Sequence, residues 1–155
     1  MTSSTTISPW VVISQQMIDQ FAEATLDADP MHVDHKWAKE HGPYGQTISF
    51  GFLTMSLLTH LYRATLTPGA DHIVGLNYGF DRLRLISPVR SGSRVRAHFT
   101  ELPGETTKSG LPITKLDCRI EIEGESKPAV LATWLFVTLP DGYTGGVANP
   151  AKSAG

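Results

Sequence analysis

Apolar residues recur at helical spacing in the first part of the chain and alternate in the second. Met17, Ile18, Phe21, Ala22 and Thr25 follow at intervals of one, three, one and three, the stripe of an amphipathic helix. Ser14 ahead of them suits an N-cap, because its hydroxyl can accept from an N–H of the first turn. The stripe stops before Asp27-Ala28-Asp29-Pro30, where Pro30 disfavours helical geometry at Asp29. A helical turn is expected over 36–40, then a loop at Gly42-Pro43-Tyr44-Gly45. Upstream, the β-branched residues after Pro9 give 7–13 the reading of a short strand.

Segment 51–65 predicts the most informative helix. Phe52, Leu53, Met55, Leu57, Leu58, Leu61, Tyr62 and Leu66 leave little continuous polar face, and a helix apolar nearly all round has to be wrapped in other elements. Strand-like alternation follows over 72–86, 94–102, 113–123 and 130–139. The breaks are Ser87-Pro88, Ser91-Gly92, Pro103-Gly104 and the stretch 124–128. Antiparallel strands after helices give an α+β class, with the sheet curled around the buried helix. That is the architecture of a single hot-dog domain, expected over 7–140 between a flexible N-terminus at 1–6 and a flexible Gly/Ala/Ser/Pro-rich tail at 141–155.

Composition narrows the function classes. The chain has 155 residues, enough for one domain with a sizeable core, and 13 basic against 15 acidic residues give a net charge of −2. So even a balance argues against a nucleic-acid binder, which usually carries a strongly basic domain. Only 18% of residues are charged and 41% are apolar, which argues against whole-chain disorder. The single cysteine, Cys118, can form neither an internal disulfide nor a thiolate zinc site. Met1 to Ser8 lack the charge and apolar run of a secretory signal. The longest apolar zone, 48–66, is interrupted by Ser49, Gly51, Thr54, Ser56, Thr59, His60 and Arg63, so no membrane span is expected. A cytoplasmic location follows as the expectation.

Chemistry concentrates in Asp27-Ala28-Asp29-Pro30-Met31-His32-Val33-Asp34-His35. A turn between Asp27 and His32 can bring both side chains to one point, where they could share a water as an acid–base pair. The plainer reading is an N-cap Asp, a turn Asp and a solvated His. Ile48-Ser49-Phe50-Gly51 sits where the buried helix begins. An N–H there could hold the developing oxyanion of a thioester, or Gly51 could simply let the helix pack closely on a strand. His32, Asp34 and His35, with Asp27 or His41, could instead ligate a metal, but no His-Glu-x-x-His frame occurs, and neither a metal nor another cofactor is expected. Arg82, Arg84, Arg90, Arg94 and Arg96 cluster with only Asp81 among them. They suit phosphate oxygens, as of a coenzyme A nucleotide, or form a solvated sheet face.

Asp27-x-Asp29-Pro30-Met31-His32-x-Asp34, followed by Ile48-Ser49-Phe50-Gly51-Phe52, resembles the hydratase motif of MaoC-like (R)-specific enoyl-CoA hydratases. That family reads Asp-x-Asn-Pro-aliphatic-His-x-Asp and then Ile-Ala-His-Gly-aliphatic. The stretch from Gly42-Pro43-Tyr44-Gly45 to Ser56-Leu57-Leu58, with Leu76-Asn77-Tyr78-Gly79-Phe80-Asp81-Arg82 and Pro88-Val89-Arg90-Ser91-Gly92-Ser93, is similar to its nodulation-protein-N-like branch. The resemblance implies a hot-dog homodimer that hydrates a 2-enoyl thioester to the (R)-3-hydroxyacyl thioester, or runs the dehydration, on coenzyme A or an acyl-carrier protein. By position it implies Asp27 and His32 as the catalytic pair and the Gly51 N–H as oxyanion donor. Asp29, Ser49, Phe50, Thr59, Arg82 and Arg84 fall to substrate binding, Thr59 where some members carry an active-site serine. Asp29 stands where Asn is usual and Phe50 where His is usual. The rival readings are an acyl-CoA thioesterase on the same fold and a non-catalytic acyl-thioester-binding partner subunit.

Overall fold

A computed structural model gives the fold, with residues 4–66 and 75–144 described. Four long strands form its antiparallel sheet: β3 (Gly75–Leu85), β4 (Arg94–Thr106), β5 (Pro112–Ile122) and β6 (Val130–Thr138). The order is β1-β4-β5-β6-β3, and β1 (Thr5–Ile7) and β2 (Val11–Val12) both pair with β4. Alternation sorts the two faces. Val95, Ala97, Phe99, Leu116, Cys118, Ile120, Ala132 and Trp134 point into the core, while Arg94, Arg96 and His98 point outward.

Several boundaries differ from the sequence expectation for local reasons. The strand expected at 7–13 is two short pieces. Pro9 has no N–H to offer, and Ser8 bonds Ala97 through both its backbone N–H and its hydroxyl. Pairing already starts at Thr5, opposite Thr100. Pro103-Gly104 does not end a strand. β4 runs on to Thr106 across a register shift between Leu102 and Glu105, a bulge that leaves the proline out of the ladder. The strand expected from His72 begins at Gly75 among the described residues, and His72 and the tail from 145 onward lie outside them.

Helix α1 (Gln15–Thr25) is capped by Ser14, whose hydroxyl accepts from Met17 N at 3.2 Å. Its end is set by Leu26 in the left-handed region (φ 60°), ahead of Pro30. The single helix expected across 51–65 is instead α4 (Gly51–Ser56) and α5 (Leu58–Arg63), which meet at Leu57. The Thr54 and Ser56 hydroxyls donate to the Phe50 and Phe52 carbonyls at 3.2 and 2.6 Å, competing with the amide ladder there. Leu53, Leu58 and Leu61 are buried against the sheet. The opposite face is open, with Phe52 65% exposed, so in the single chain the helix is buried on one side and not all round.

The arginine cluster is also less cationic than its sequence neighbourhood implies. Across the β4–β5 ladder and its connection, Arg90, Arg94 and Arg96 meet Glu125, Glu123 and Glu121 at 3.7, 3.1 and 2.7 Å. Trp10 packs under Arg96, 4.4 Å from its ring centre. This is a solvated, ion-paired outer face. None of the described helices is long and apolar enough to cross a membrane.

Candidate active site

The acidic and imidazole-rich segment folds as two short helices, each started by an aspartate. Asp29 caps α2 (Pro30–Val33) by accepting from Met31 N at 2.8 Å, and Asp34 caps α3 (His35–Glu40) by accepting from Trp37 N at 2.9 Å. Asp27 closes a turn, its carboxylate 3.3 Å from Asp29 N. Those three aspartates are exposed, and part of the plainer reading of the motif therefore describes them. It does not describe His32, which is 9% exposed.

The His32 Nδ1 lies 2.8 Å from the carbonyl oxygen of Ile48. A carbonyl only accepts, so Nδ1 carries a proton and Nε2 is left to take or give one. No buried side-chain nitrogen or oxygen among the described residues lacks a partner, and Nε2 has none, so it is reached from solvent. The ring packs on Phe50, centroids 3.8 Å apart, and Phe50 in turn packs on Phe21 at 5.1 Å.

A cleft of about 390 Å³ opens beside this histidine. Met31, His32 and Tyr44 form one wall, Ser49, Gly51 and Thr54 another, and Leu85, Ile86 and Val130 close it from the sheet. Gly51 is the first residue of α4, so its N–H has no partner within the helix. A Cβ there would come within 2.4 Å of Leu85 Cδ1, so the glycine also serves close packing against β3. The Ser49 hydroxyl is 3.1 Å from Thr54 Oγ1 and is buried. The cleft thus combines an imidazole, a phenol, a helix start and apolar walls.

The structure brings together only some of the residues singled out by sequence. His32, Ser49 and Gly51 line the cleft; Asp27 does not line it in the single chain. Phe50 is 5% exposed and belongs to the core behind His32. Thr59 faces a separate cavity of about 240 Å³, beside Tyr62, Asn77, Glu101 and Trp134. There burial, with the Glu101 charge, holds the Tyr62 phenol above its ordinary value. Arg82 and Arg84 stand exposed on β3 without an ion-pair partner among the described residues. No group of three or more potential metal ligands gathers among the described residues.

The family model described as a MaoC like domain matches residues 2–110. The chain belongs to the MaoC-like family. Nodulation protein N of Rhizobium meliloti is 40% identical over 130 residues, covering 84% of this chain and 81% of that protein. The 3-hydroxyacyl-thioester dehydratase Z of Mycobacterium tuberculosis is 38% identical over 125 residues, covering 81% and 82%. Among solved structures, the (R)-hydratase from A. caviae involved in PHA biosynthesis superposes with a TM-score of 0.69 at 23% identity, over 88% of this chain and 95% of that one. The fold is the hot-dog fold of MaoC-like proteins.

Within this MaoC-like chain, sequence reading missed Gln15, Thr47 and Tyr44. Tyr44 was legible only as a loop residue, yet it lines the cleft. Gln15 and Thr47 are 32 positions apart and bond to each other at 2.6 Å, a contact no local pattern encodes.

Proposed function

We propose that the protein adds water to a 2-enoyl thioester to give the (R)-3-hydroxyacyl thioester, or removes it in the reverse direction. The observation that carries the reading is His32: a near-buried imidazole with Nδ1 fixed on a backbone carbonyl and Nε2 left for proton transfer, lining a cleft that also holds the Gly51 helix start. The dehydratase relative, of similar length and 38% identical, supports the same reaction class.

Addition across the double bond needs an activated water, a proton for the α-carbon, and stabilisation of the enolate-like oxygen. Asp27 takes a proton from water, and the hydroxide adds to C3. His32, protonated at Nε2, returns a proton to C2. The Gly51 N–H faces the thioester oxygen as it gains charge. Asp27 takes this role from its motif position, five residues before His32. Ser49 would contact the acyl portion, Asp29 would hold the turn that presents the pair, and Phe50 would back the His32 ring, while Thr59, on the separate cavity, takes no part in the scheme. Of the arginine cluster, Arg82 and Arg84 carry no ion pair among the described residues and would meet the carrier's phosphates, whether coenzyme A or an acyl-carrier protein.

The working unit in this proposal is a homodimer in the cytoplasm. Among the described residues strand β3 has β6 as its only strand partner, and Leu76, Tyr78, Phe80 and Leu85 are each 37–48% exposed along it. An 11-residue edge this apolar calls for a covering partner, and a second copy supplies one. The unpaired Cys118 agrees with a reducing compartment.

Turnover of crotonyl-CoA tests the reaction. Loss of the enoyl absorbance without release of free thiol is the expected result. Thiol release would indicate a thioesterase, and binding with neither change would indicate a partner subunit.

A further inference from the structure

We infer that Gln15 and Thr47 form a clasp that positions the His32 imidazole; the inference deepens the hydratase reading and rests on it for its kinetic consequence. Gln15 is the first residue of α1. Its Nε2 donates to Asp19 Oδ1 and to the His32 carbonyl, both at 2.8 Å, and its Oε1 accepts from the Thr47 hydroxyl at 2.6 Å. Both Nε2 partners can only accept, so the amide has one orientation: reversed, its oxygen would face a carboxylate and a carbonyl. Every hydrogen on the Gln15 amide nitrogen is therefore used.

The two ends of the clasp hold the two chain segments that fix the ring. At one end, the His32 carbonyl belongs to the last turn of α2, where the helix itself supplies no donor. At the other, Thr47 is 1% exposed and directly precedes Ile48, whose carbonyl takes the His32 Nδ1 proton. Ile48 N also reaches the Met31 carbonyl at 3.3 Å, so segments 31–32 and 47–48 are joined by two bonds of their own. Gln15 adds a brace from α1 to both segments. Without it, α2 and the strand-like 47–48 segment can slide relative to each other, and Nε2 moves with them. Reactive groups tolerate little of this, since a displacement of about 1 Å can cost about 100-fold in rate. Gln15 and Thr47 touch no reacting atom in this scheme, and they act through His32.

The test uses Gln15→Met and Thr47→Val, which keep size and remove the bonds, with Thr47→Ser as the variant that keeps the hydroxyl. Enoyl-CoA hydration and the imidazole ¹⁵N spectrum are measured on each folded full-length protein. Expected is a kcat lowered about 10- to 100-fold with KM changed less than about threefold, Thr47→Ser near wild type, and a double variant no worse than the worse single one. The His32 ring, assigned by its loss in His32→Ala, should show one Nδ1–H tautomer in the wild type and a mixture in Gln15→Met. Wild-type kcat together with an unchanged His32 spectrum in both variants overturns the clasp, whatever happens to the melting temperature. If the wild type itself lacks hydratase activity, the hydratase reading fails, and the ring spectrum alone then decides for or against the clasp.

Discussion

His32 donates from Nδ1 to the Ile48 carbonyl at 2.8 Å, and together with the Ile48 N–H on the Met31 carbonyl at 3.3 Å this bond joins the two halves of the family motif. The Asp/His half lies on α2 and the turn before it; the Ile-Ser-Phe-Gly half leads into α4. Their separation in sequence, 16 positions between the bonded residues, is closed by a side chain meeting a backbone. The bond also fixes which nitrogen does chemistry, because Nδ1 is occupied in either protonation state.

Replacing the reactive groups should stop turnover while keeping the fold. Asp27→Asn and His32→Gln are each expected to lower the hydration rate about 10²- to 10⁴-fold. Glutamine at position 32 retains a donor for the Ile48 carbonyl, so a large loss of stability is not expected. Asp27 is exposed, and its amide variant should melt like the wild type. Near-normal turnover by either protein would remove that residue from the mechanism.

Much of the fold was legible because periodicity reports burial. The alternation of Val95, Ala97 and Phe99, and the stripe through Leu53, Leu58 and Leu61, name the two surfaces that meet in the core. What escaped was set by single polar atoms. The hydroxyls of Thr54 and Ser56 add bonds to the Phe50 and Phe52 carbonyls just before the helix divides at Leu57, and Pro103 is absorbed by a bulge because the ladder resumes at Glu105. The Arg94 and Arg96 partners sit on the neighbouring strand, so charge counted along the chain overstated the cationic face. In the site, motif and helix start were visible, while the Gln15–Thr47 contact depends on tertiary closure.

Phe50 occupies the position where the family usually has histidine, and it lies in the core with its ring on His32. Phe50→Ala should cost about 3–5 kcal/mol of stability. Phe50→His introduces a buried imidazole without an evident partner and should cost about 1–3 kcal/mol. Since Phe50 does not line the cleft, the ratio of kcat/KM between short and longer enoyl-CoAs should stay within about threefold of wild type in the folded fraction. A larger change in that ratio would place the ring against the acyl chain.

The exposed β3 edge makes assembly measurable. Sedimentation equilibrium at micromolar concentration should give twice the chain mass. Placing lysine at Tyr78 and Phe80 puts charge on the apolar edge and should shift the protein to monomer. A wild-type monomer under these conditions would leave the edge to another partner.

Glu121 links stability to acid. Burial pulls its carboxyl upward, but hydrogen bonds from His98 and Arg96 and their charges outweigh this and hold it below its ordinary value of 4.5. Its folded value is thus lower than its unfolded one. The stabilisation is complete above the unfolded value and is lost as pH falls through the folded value. Urea midpoints measured from pH 7 to pH 3 should therefore fall more steeply below pH 4.5 for the wild type than for Glu121→Gln. Parallel curves for the two proteins would show that this carboxylate is not the group responsible.

Leu26 closes α1 in a conformation that leucine resists. Its N–H donates to the Glu23 carbonyl and that of Asp27 to the Ala22 carbonyl, the paired bonds of a Schellman end, with Leu26 at φ 60°. Glycine is the usual residue at this point, because a Cβ costs about 1–2 kcal/mol in the left-handed region. The Leu26 side chain is 93% exposed, so in the single chain no packing offsets that strain. Leu26→Gly should therefore stabilise the protein by about 1 kcal/mol, the removed strain being partly cancelled by the greater freedom of glycine in the unfolded chain. Leu26→Ala keeps the Cβ and should match the wild type. Urea denaturation of the three proteins decides between them. A destabilised Leu26→Gly would mean that the leucine side chain is covered in the assembled protein, one residue from Asp27, and this turn would then belong to the interface as well as to the site.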